Sequence, residues 1–257
     1  MPDGELRLAI REAHALGLKV LVKPHVWVEG SWAGTVEPTT AEDRQIWFDR
    51  YRAALIEIAR TAAEENAEAL VIGTELERTS ARPQWRDIIA AVRTEFHGLV
   101  TYAAHNVEEA EAVPFWHALD AIGVTLYPPL GADDDLDGRR AVMRATADRL
   151  EVLARREGKP VIVAEIGIRS ATGAASKPWE SAEERRASPN MVLQAEVLAD
   201  WLAALDRPAI EGVLIWRWFT DPAAGGPTDT DFTVQRKPAE RVLACVRTKN
   251  CATPDQE

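Results

Sequence analysis

Two glutamates, Glu75 and Glu165, each close an apolar stretch that has the character of a buried strand. Glu75 ends "ALVIGTE", and Glu165 lies near the end of "PVIVAEIG". A carboxylate in such a place is costly to desolvate unless it is paired or required there. Two carboxylates on one face suit glycoside hydrolysis, with one as acid/base and the other as nucleophile. The alternative is that each glutamate pairs with a basic residue at its strand end, and the glycosidase interpretation is our leading hypothesis.

Polar and aromatic residues also end other predicted strands, and these are His25, Tyr127, Trp216 and Trp218. In a barrel of alternating strands and helices, the carboxyl ends of the strands form the active-site face. Residues that are distant in sequence therefore converge there, and His25 is a candidate to hydrogen-bond a ligand. The count of nine tryptophans is high, and tryptophan often lines ligand sites because it combines a large apolar ring with a polar N–H.

A third acidic residue, Glu77, competes with Glu75 for the catalytic role. It would share a strand face with Glu75 if the strand continued. The sequence "LERTSARP" indicates a loop instead, so we expect Glu77 to face solvent or a loop arginine.

Metal and cofactor chemistry finds little support. The segment "DDDLDG", residues 133–138, matches the first half of a calcium-binding loop, but its twelfth position is Arg144 rather than a bidentate glutamate. We therefore expect a solvated acidic loop. The five histidines lack HxH or HExxH spacing, and the two cysteines lack zinc-ligand spacing. The sequence predicts no metal site and no cofactor.

Strands and helices alternate along the whole chain. Strands are predicted at 19–25, 69–75, 99–104, 121–127, 160–167 and 212–218, and helices at 4–16, 41–65, 82–96, 107–118, 138–157, 190–205 and 237–247. The strands are near-continuous apolar runs, which is typical of parallel strands covered on both faces. No linker divides the six strands, so we predict one α/β domain over residues 1–257.

The bulk composition limits the partners. A net charge of −11 argues against nucleic acid or an anionic membrane surface, because both need basic patches. The sequence contains no run of about 18 apolar residues, so no membrane span is predicted. The N-terminal "MPDGELRLAI" has no signal-peptide pattern. The cellular location stays open, and the sequence does not indicate an oligomeric state.

Six stretches in register resemble family 113 of the glycoside hydrolases, which are retaining β-mannanases with a (β/α)8 barrel. They are "AHALGLKVLVKPHVWV", "VIGTEL", "LVTYAAHN", "FWHALDAIGVTLYPPL", "PVIVAEIGIRS" and "GVLIWRWFTDP". They extend from about residue 8 to residue 243. The resemblance implies an oligo- or polysaccharide substrate, in particular β-mannan or manno-oligosaccharides, and no cofactor.

The resemblance also implies a role for individual residues. Glu75 matches the acid/base, Glu165 the nucleophile, and Tyr127 the tyrosine that hydrogen-bonds the nucleophile. Trp216 matches the aromatic residue beneath the sugar at the cleavage site. The remaining residues expected to contact sugar are His25, Trp27, Trp32 and Trp218. If both carboxylates act on one bond, we expect them about 5–5.5 Å apart.

Two departures from the family pattern accompany these assignments. Thr74 stands where many related enzymes place an asparagine before the acid/base. The match also begins at the helix before the third barrel strand, so the six strands would be strands three to eight of an N-terminally truncated barrel. Another β-glycosidase of the same clan, such as a β-glucanase or β-mannosidase, and a non-catalytic carbohydrate-binding barrel are the alternatives.

Overall fold

The computed structural model describes residues 3–248, so residues 1–2 and 249–257, including Cys251, lie outside the described part. The strands are β1 (Leu21–Val22), β2 (Ala69–Thr74), β3 (Leu99–His105), β4 (Ile122–Leu126), β5 (Val161–Ile166) and β6 (Ile210–Ile215). The helices are α1 (Asp3–Ala15), α2 (Ala41–Glu64), α3 (Glu77–Ser80), α4 (Trp85–Glu95), α5 (Asn106–Ala112), α6 (Leu136–Glu157), α7 (Met191–Ala204) and α8 (Pro238–Thr248).

The strands follow one another in the sheet in chain order, from β1 to β6. The pairs β1–β2, β2–β3 and β3–β4 are parallel, with Leu70 opposite Val100 in the second pair. Parallel strands joined by crossover helices are the pattern of βα repeats, in which the carboxyl ends of all strands share one edge. The predicted α/β class and the predicted number of strands are therefore confirmed for residues 3–248.

The described chain divides into two compact units. The N-terminal unit contains residues up to 125 together with 153–162, and the C-terminal unit contains residues 126–152 together with those from 163 onward. Glu75 belongs to the first unit and Glu165 to the second. The prediction of one domain over residues 1–257 stays a prediction.

Several element boundaries differ from the sequence prediction. β1 covers two residues rather than the predicted 19–25, and Pro24 has no N–H to donate to a sheet ladder. The segment "LERTSARP", predicted as loop, contains the one-turn helix α3. β6 ends at Ile215, so Trp216 and Trp218 follow the strand, and the Trp216–Arg217 peptide bond is cis.

An aromatic cluster fills the core of the N-terminal unit. Trp85 packs edge-on against Tyr102 at a centroid distance of 5.3 Å, and Phe115 and Trp116 adjoin the same group. Both indole N–H groups donate to backbone carbonyls at 2.9 and 2.8 Å. Because Trp85 and Trp116 are buried and satisfied, the high tryptophan count reflects core packing as well as exposed rings. A Cβ at Gly73 would lie 2.7 Å from the Trp85 ring, which explains the glycine two residues before the candidate acid/base.

Buried polar side chains organise the C-terminal unit. Arg169 is almost fully buried and donates to the carbonyls of Thr230, Ser181 and Arg185. Gln194 of α7 donates to the carbonyls of Ile168 and Phe232, both at 3.0 Å. These bonds satisfy loop backbone groups that would otherwise be buried unpaired.

The acidic segment 133–138 is more than the solvated loop that the sequence predicted. Asp133 accepts hydrogen bonds from the backbone N–H groups of Gly173 at 2.6 Å and Ala175 at 3.2 Å. Asp135 accepts from the N–H of Gly138 at 2.9 Å near the start of α6. The carboxylates therefore order a loop and a helix start through backbone donors.

Candidate active site

Glu75 follows the last residue of β2 and has a left-handed backbone, with φ of +54°. This region is unfavourable for a residue with a side chain, and such strain is characteristic of functional positions. The neighbouring backbone compensates, since the Glu75 N–H donates to the carbonyl of Ala103 at 2.8 Å. Thr74, the residue before Glu75, is buried and donates to the carbonyl of Pro24 at 3.1 Å.

The carboxylate of Glu75 is held by two neighbours at one oxygen. The hydroxyl of Thr125 donates to Oε1 at 2.5 Å, and Nδ1 of His105 lies 3.3 Å from the same atom. The Glu75 side chain is 18% exposed. It therefore keeps access to solvent while its orientation is fixed from β3 and β4.

His105 is itself anchored on several sides. Its backbone N–H donates to Oε2 of Glu109 at 2.5 Å, and its ring lies 4.6 Å from the ring of Trp32. Burial disfavours the charged imidazole, but the hydrogen bond and charge of Glu75, with the charges of Glu109 and Glu77, outweigh burial and raise the pKa of His105.

Glu109 connects His105 to the backbone next to Glu75. Its Oε1 accepts from the hydroxyl of Tyr102 at 2.6 Å, and that hydroxyl accepts from the N–H of Leu76 at 2.9 Å. Burial raises the pKa of Glu109, while the Tyr102 and His105 hydrogen bonds partly offset that effect. One buried carboxyl thus supports both His105 and the residue that follows Glu75.

Three predicted sugar-contacting residues lie in the same unit, before or within the loop that leads to α2. Trp27 is 90% exposed and Trp32 is 38% exposed. His25 is exposed, with Nε2 2.7 Å from Nζ of Lys23. Trp32 contacts the surroundings of Glu75 through the ring of His105.

Glu165 is the penultimate residue of β5 and is 6% exposed. The hydroxyl of Tyr127 donates to its Oε2 at 2.9 Å, as the family resemblance predicted. Tyr127 is itself buried and packs edge-on against Phe232 at a centroid distance of 6.3 Å. A charged acceptor strengthens such a hydrogen bond, so Tyr127 both orients the carboxylate and stabilises its charge.

The end of β6 brings Trp216 beside β5. The Trp216 N–H donates to the carbonyl of Ile166 at 2.7 Å, and a Cβ at Gly167 would lie 2.2 Å from the Trp216 carbonyl oxygen. Arg217 forms an ion pair with Asp231. Trp218 is 59% exposed, which leaves its ring available for contacts outside the fold.

The sequence prediction missed His105, Thr125 and Glu109 as neighbours of the candidate acid/base. His105 and Thr125 lie at or near the carboxyl ends of β3 and β4, so the strand-end argument applied to Glu75 could have found them. Glu109 lies within α5, and no sequence pattern distinguishes it from the solvent-exposed acidic residues around it. In the part of the chain that is described, no group of three or more His, Cys, Asp or Glu side chains is arranged to hold a metal ion.

Parallel βα repeats whose strands end in polar side chains are typical of barrel-type enzymes. The chain belongs to Glycoside Hydrolase Family 113, whose family model matches residues 1–237. It is therefore a glycoside hydrolase with a (β/α)8-barrel type of fold, and its substrate is an oligo- or polysaccharide.

Solved structures agree with this family. The GH113 β-mannanase AaManA from Alicyclobacillus acidocaldarius, in complex with ManMIm, matches with a TM-score of 0.82 at 28% identity, covering 97% of this chain and 79% of that one. A second GH113 β-1,4-mannanase matches with a TM-score of 0.82 at 29% identity, covering 96% of this chain and 79% of that one.

More distant similarity concerns the fold alone. A β-glucuronidase from Ruminococcus gnavus matches with a TM-score of 0.63 at 16% identity, covering 91% of this chain and 40% of that one. No curated protein sequence matches this chain. None of the helices within residues 3–248 is long and apolar enough to cross a membrane.

Proposed function

We propose that the protein is a retaining glycoside hydrolase that cleaves β-mannosidic bonds in β-mannan or manno-oligosaccharides. The observation that carries the proposal is the hydrogen bond from Tyr127 to buried Glu165, 2.9 Å long, at the end of a strand in a family 113 chain. A buried carboxylate with a fixed donor is suited to attack one particular atom. Similar solved structures are of GH113 β-mannanases, which supports mannan as the substrate.

In the proposed first step, an oxygen of Glu165 attacks the anomeric carbon while the glycosidic bond breaks. Glu75 transfers its proton to the leaving oxygen, so an alcohol departs and a covalent glycosyl-enzyme remains. In the second step, Glu75 takes a proton from water, and the water oxygen attacks the anomeric carbon. The bond to Glu165 then breaks, and the sugar is released with its original anomeric configuration.

The role of Glu75 is supported by its surroundings within the N-terminal unit. It is partly exposed, strained at φ of +54° and held by donors from two strands. Glu77, by contrast, is exposed at the start of α3. An acid/base must be both oriented and accessible, and Glu75 meets both conditions better than Glu77.

Aromatic rings at strand ends and in the loop after β1 are the proposed sugar contacts. The rings proposed to stack on sugar faces are Trp216, Trp27, Trp32 and Trp218, and His25 is the proposed hydrogen-bonding residue. The exposure of Trp27 and Trp218 supports this role, because an exposed large aromatic surface gains free energy when a sugar ring covers it.

Hydrolysis of defined polysaccharides tests the proposal. The chain is incubated with β-mannan, manno-oligosaccharides and a mixed-linkage β-glucan, and the anomeric protons of the first-formed products are followed by proton NMR. We expect cleavage of the mannosidic substrates with first-formed β-anomers, and large losses in Glu75→Gln and Glu165→Gln. Glu77→Gln is the matched control and should retain activity.

Other outcomes would select the alternatives. Preference for the β-glucan would identify a β-glucanase, and release of single mannose units alone would identify a β-mannosidase. Binding of manno-oligosaccharides without hydrolysis would favour a non-catalytic carbohydrate-binding barrel. First-formed α-anomers would overturn the retaining mechanism.

A further inference from the structure

Both recorded partners of the Glu75 carboxylate act on a single oxygen. The Thr125 hydroxyl and the His105 ring nitrogen approach Oε1 at 2.5 and 3.3 Å. Among the described residues of the N-terminal unit, no donor is recorded at Oε2. The two carboxylate oxygens are therefore chemically different before any substrate arrives.

We propose that His105 is a positioning residue for Glu75, which binds Oε1 together with Thr125 and so assigns the exchangeable proton to Oε2. This inference rests on the proposed function of Glu75 as acid/base. In the first step the Oε2–H bond breaks and its proton forms the O–H bond of the leaving alcohol. In the second step a proton passes from water to Oε2, while the water oxygen bonds to the anomeric carbon and the bond to Glu165 breaks.

The surroundings of His105 fix the direction of its ring. The side-chain amide Nδ2 of Asn106 lies 3.0 Å from Nε2. In this arrangement the amide donates to Nε2, so the ring hydrogen belongs on Nδ1, where it points to Glu75. The backbone N–H of His105 is held by Glu109 at 2.5 Å. Ring orientation and backbone position are thus both fixed independently of Glu75.

The charges that face His105 favour its protonated ring, which donates to Glu75. Glu75 and Glu77 approach from the end of β2 and the start of α3, and Glu109 approaches from α5. Trp32 and Asn106, which also contact the ring, carry no charge. A donor at Oε1 fixes the orientation of the carboxyl group, so that Oε2 faces the proton that it exchanges in each step.

A purely structural His105 would only fill space beside Trp32, and an NMR titration separates this role from the proposed one. The imidazole nitrogens of His105 are followed by ¹⁵N NMR in the 257-residue chain, in Glu75→Gln and in Glu77→Gln. We expect the His105 pKa to fall in Glu75→Gln and to change much less in Glu77→Gln. An unchanged His105 titration in Glu75→Gln would overturn the proposal, whatever the enzymatic activity of the chain.

Kinetics of His105→Asn provides the second measurement, with exposed His97→Asn as the control. On manno-oligosaccharides we expect kcat to fall roughly 10- to 100-fold with little change in KM, because a misplaced catalytic group costs rate rather than binding. On 2,4-dinitrophenyl β-mannobioside the first step needs no proton transfer, so kcat/KM should be nearly unchanged. Equal losses on both substrates would contradict positioning and indicate a folding defect.

The two measurements also separate this inference from the proposed function. A fall of the His105 pKa in Glu75→Gln, in a chain that hydrolyses no glycoside, would reject the proposed function and leave the contact at Oε1 supported. Hydrolysis of mannan by the wild-type chain with full activity in His105→Asn would reject the positioning role alone.

Discussion

Replacing Tyr102 with phenylalanine removes one hydroxyl that joins two parts of the candidate active site. That hydroxyl donates to Glu109 at 2.6 Å and accepts from the N–H of Leu76 at 2.9 Å. Burial, followed by the charge of Glu109, raises the pKa of Tyr102 well above its usual value. The hydroxyl therefore remains protonated, and remains a donor, at any pH at which the protein is assayed.

The expected loss of stability follows from these two bonds. A buried N–H left without a partner costs about 1–3 kcal/mol, and a hydrogen bond to a charged group contributes about 1.5–3 kcal/mol. The aromatic packing against Trp85 and Phe115 is retained in Tyr102→Phe, so no large cavity is created. We expect the free energy of unfolding to fall by about 3–5 kcal/mol, allowing for incomplete additivity.

Tyr51→Phe provides a matched control in the same unit. The Tyr51 hydroxyl makes one recorded bond, to the carbonyl of Ile72 at 2.9 Å, and its loss should cost about 0.5–1.5 kcal/mol. Urea unfolding of both variants gives the comparison. Because Leu76 follows strained Glu75, Tyr102→Phe should also lower activity more than Tyr51→Phe does. Equal destabilisation by the two changes would refute the account of Tyr102 as a junction between Glu109 and the Glu75 backbone.

Three further predictions concern pH, the nucleophile and a helix start. The pKa of His105 is raised in the folded chain, so its interaction with Glu75 stabilises the fold fully below pH 6.5 and progressively less as pH rises through the folded pKa. In urea unfolding, the free energies of unfolding of His105→Asn and wild type should therefore be closest at high pH. Tyr127→Phe should lower kcat on manno-oligosaccharides roughly 10- to 100-fold, because the orientation of Glu165 is lost; an unchanged kcat would contradict that role. Thr40→Ala removes the N-cap residue of α2, whose hydroxyl oxygen accepts a hydrogen bond from the N–H of Asp43 at 3.0 Å. The free energy of unfolding in a urea titration should fall by about 1 kcal/mol.

The fold was largely predictable because buried parallel strands have a strong local signal. Apolar runs such as "ALVIG" and "PVIVA" identify β2 and β5 to within a residue. β1 was overextended because the predicted strand ran on through Lys23 to His25, whereas Pro24 has no N–H to donate to the ladder. The short α3 was missed because a single turn has too few residues to show helical periodicity.

The site was predictable where a side chain ends a strand and unpredictable where tertiary contacts define it. Tyr127 was paired correctly with Glu165 through the family resemblance, and the structure confirms that bond. The left-handed backbone of Glu75 leaves no trace in sequence, since glycine is the usual signal for positive φ. Glu109 acquires its importance only when folding places it against Tyr102 and His105.

Covalent trapping tests the central claim most directly. The chain is incubated with the 2-deoxy-2-fluoro glycosyl fluoride of β-mannobiose. Its 2-fluoro group slows both steps, while its anomeric fluoride, a good leaving group, lets the first step proceed. The modified peptide is located by mass spectrometry. The account predicts one disaccharide attached to Glu165 and no label in Glu165→Gln. A label on a different residue, or hydrolysis of mannan with inversion and no covalent adduct, would contradict it.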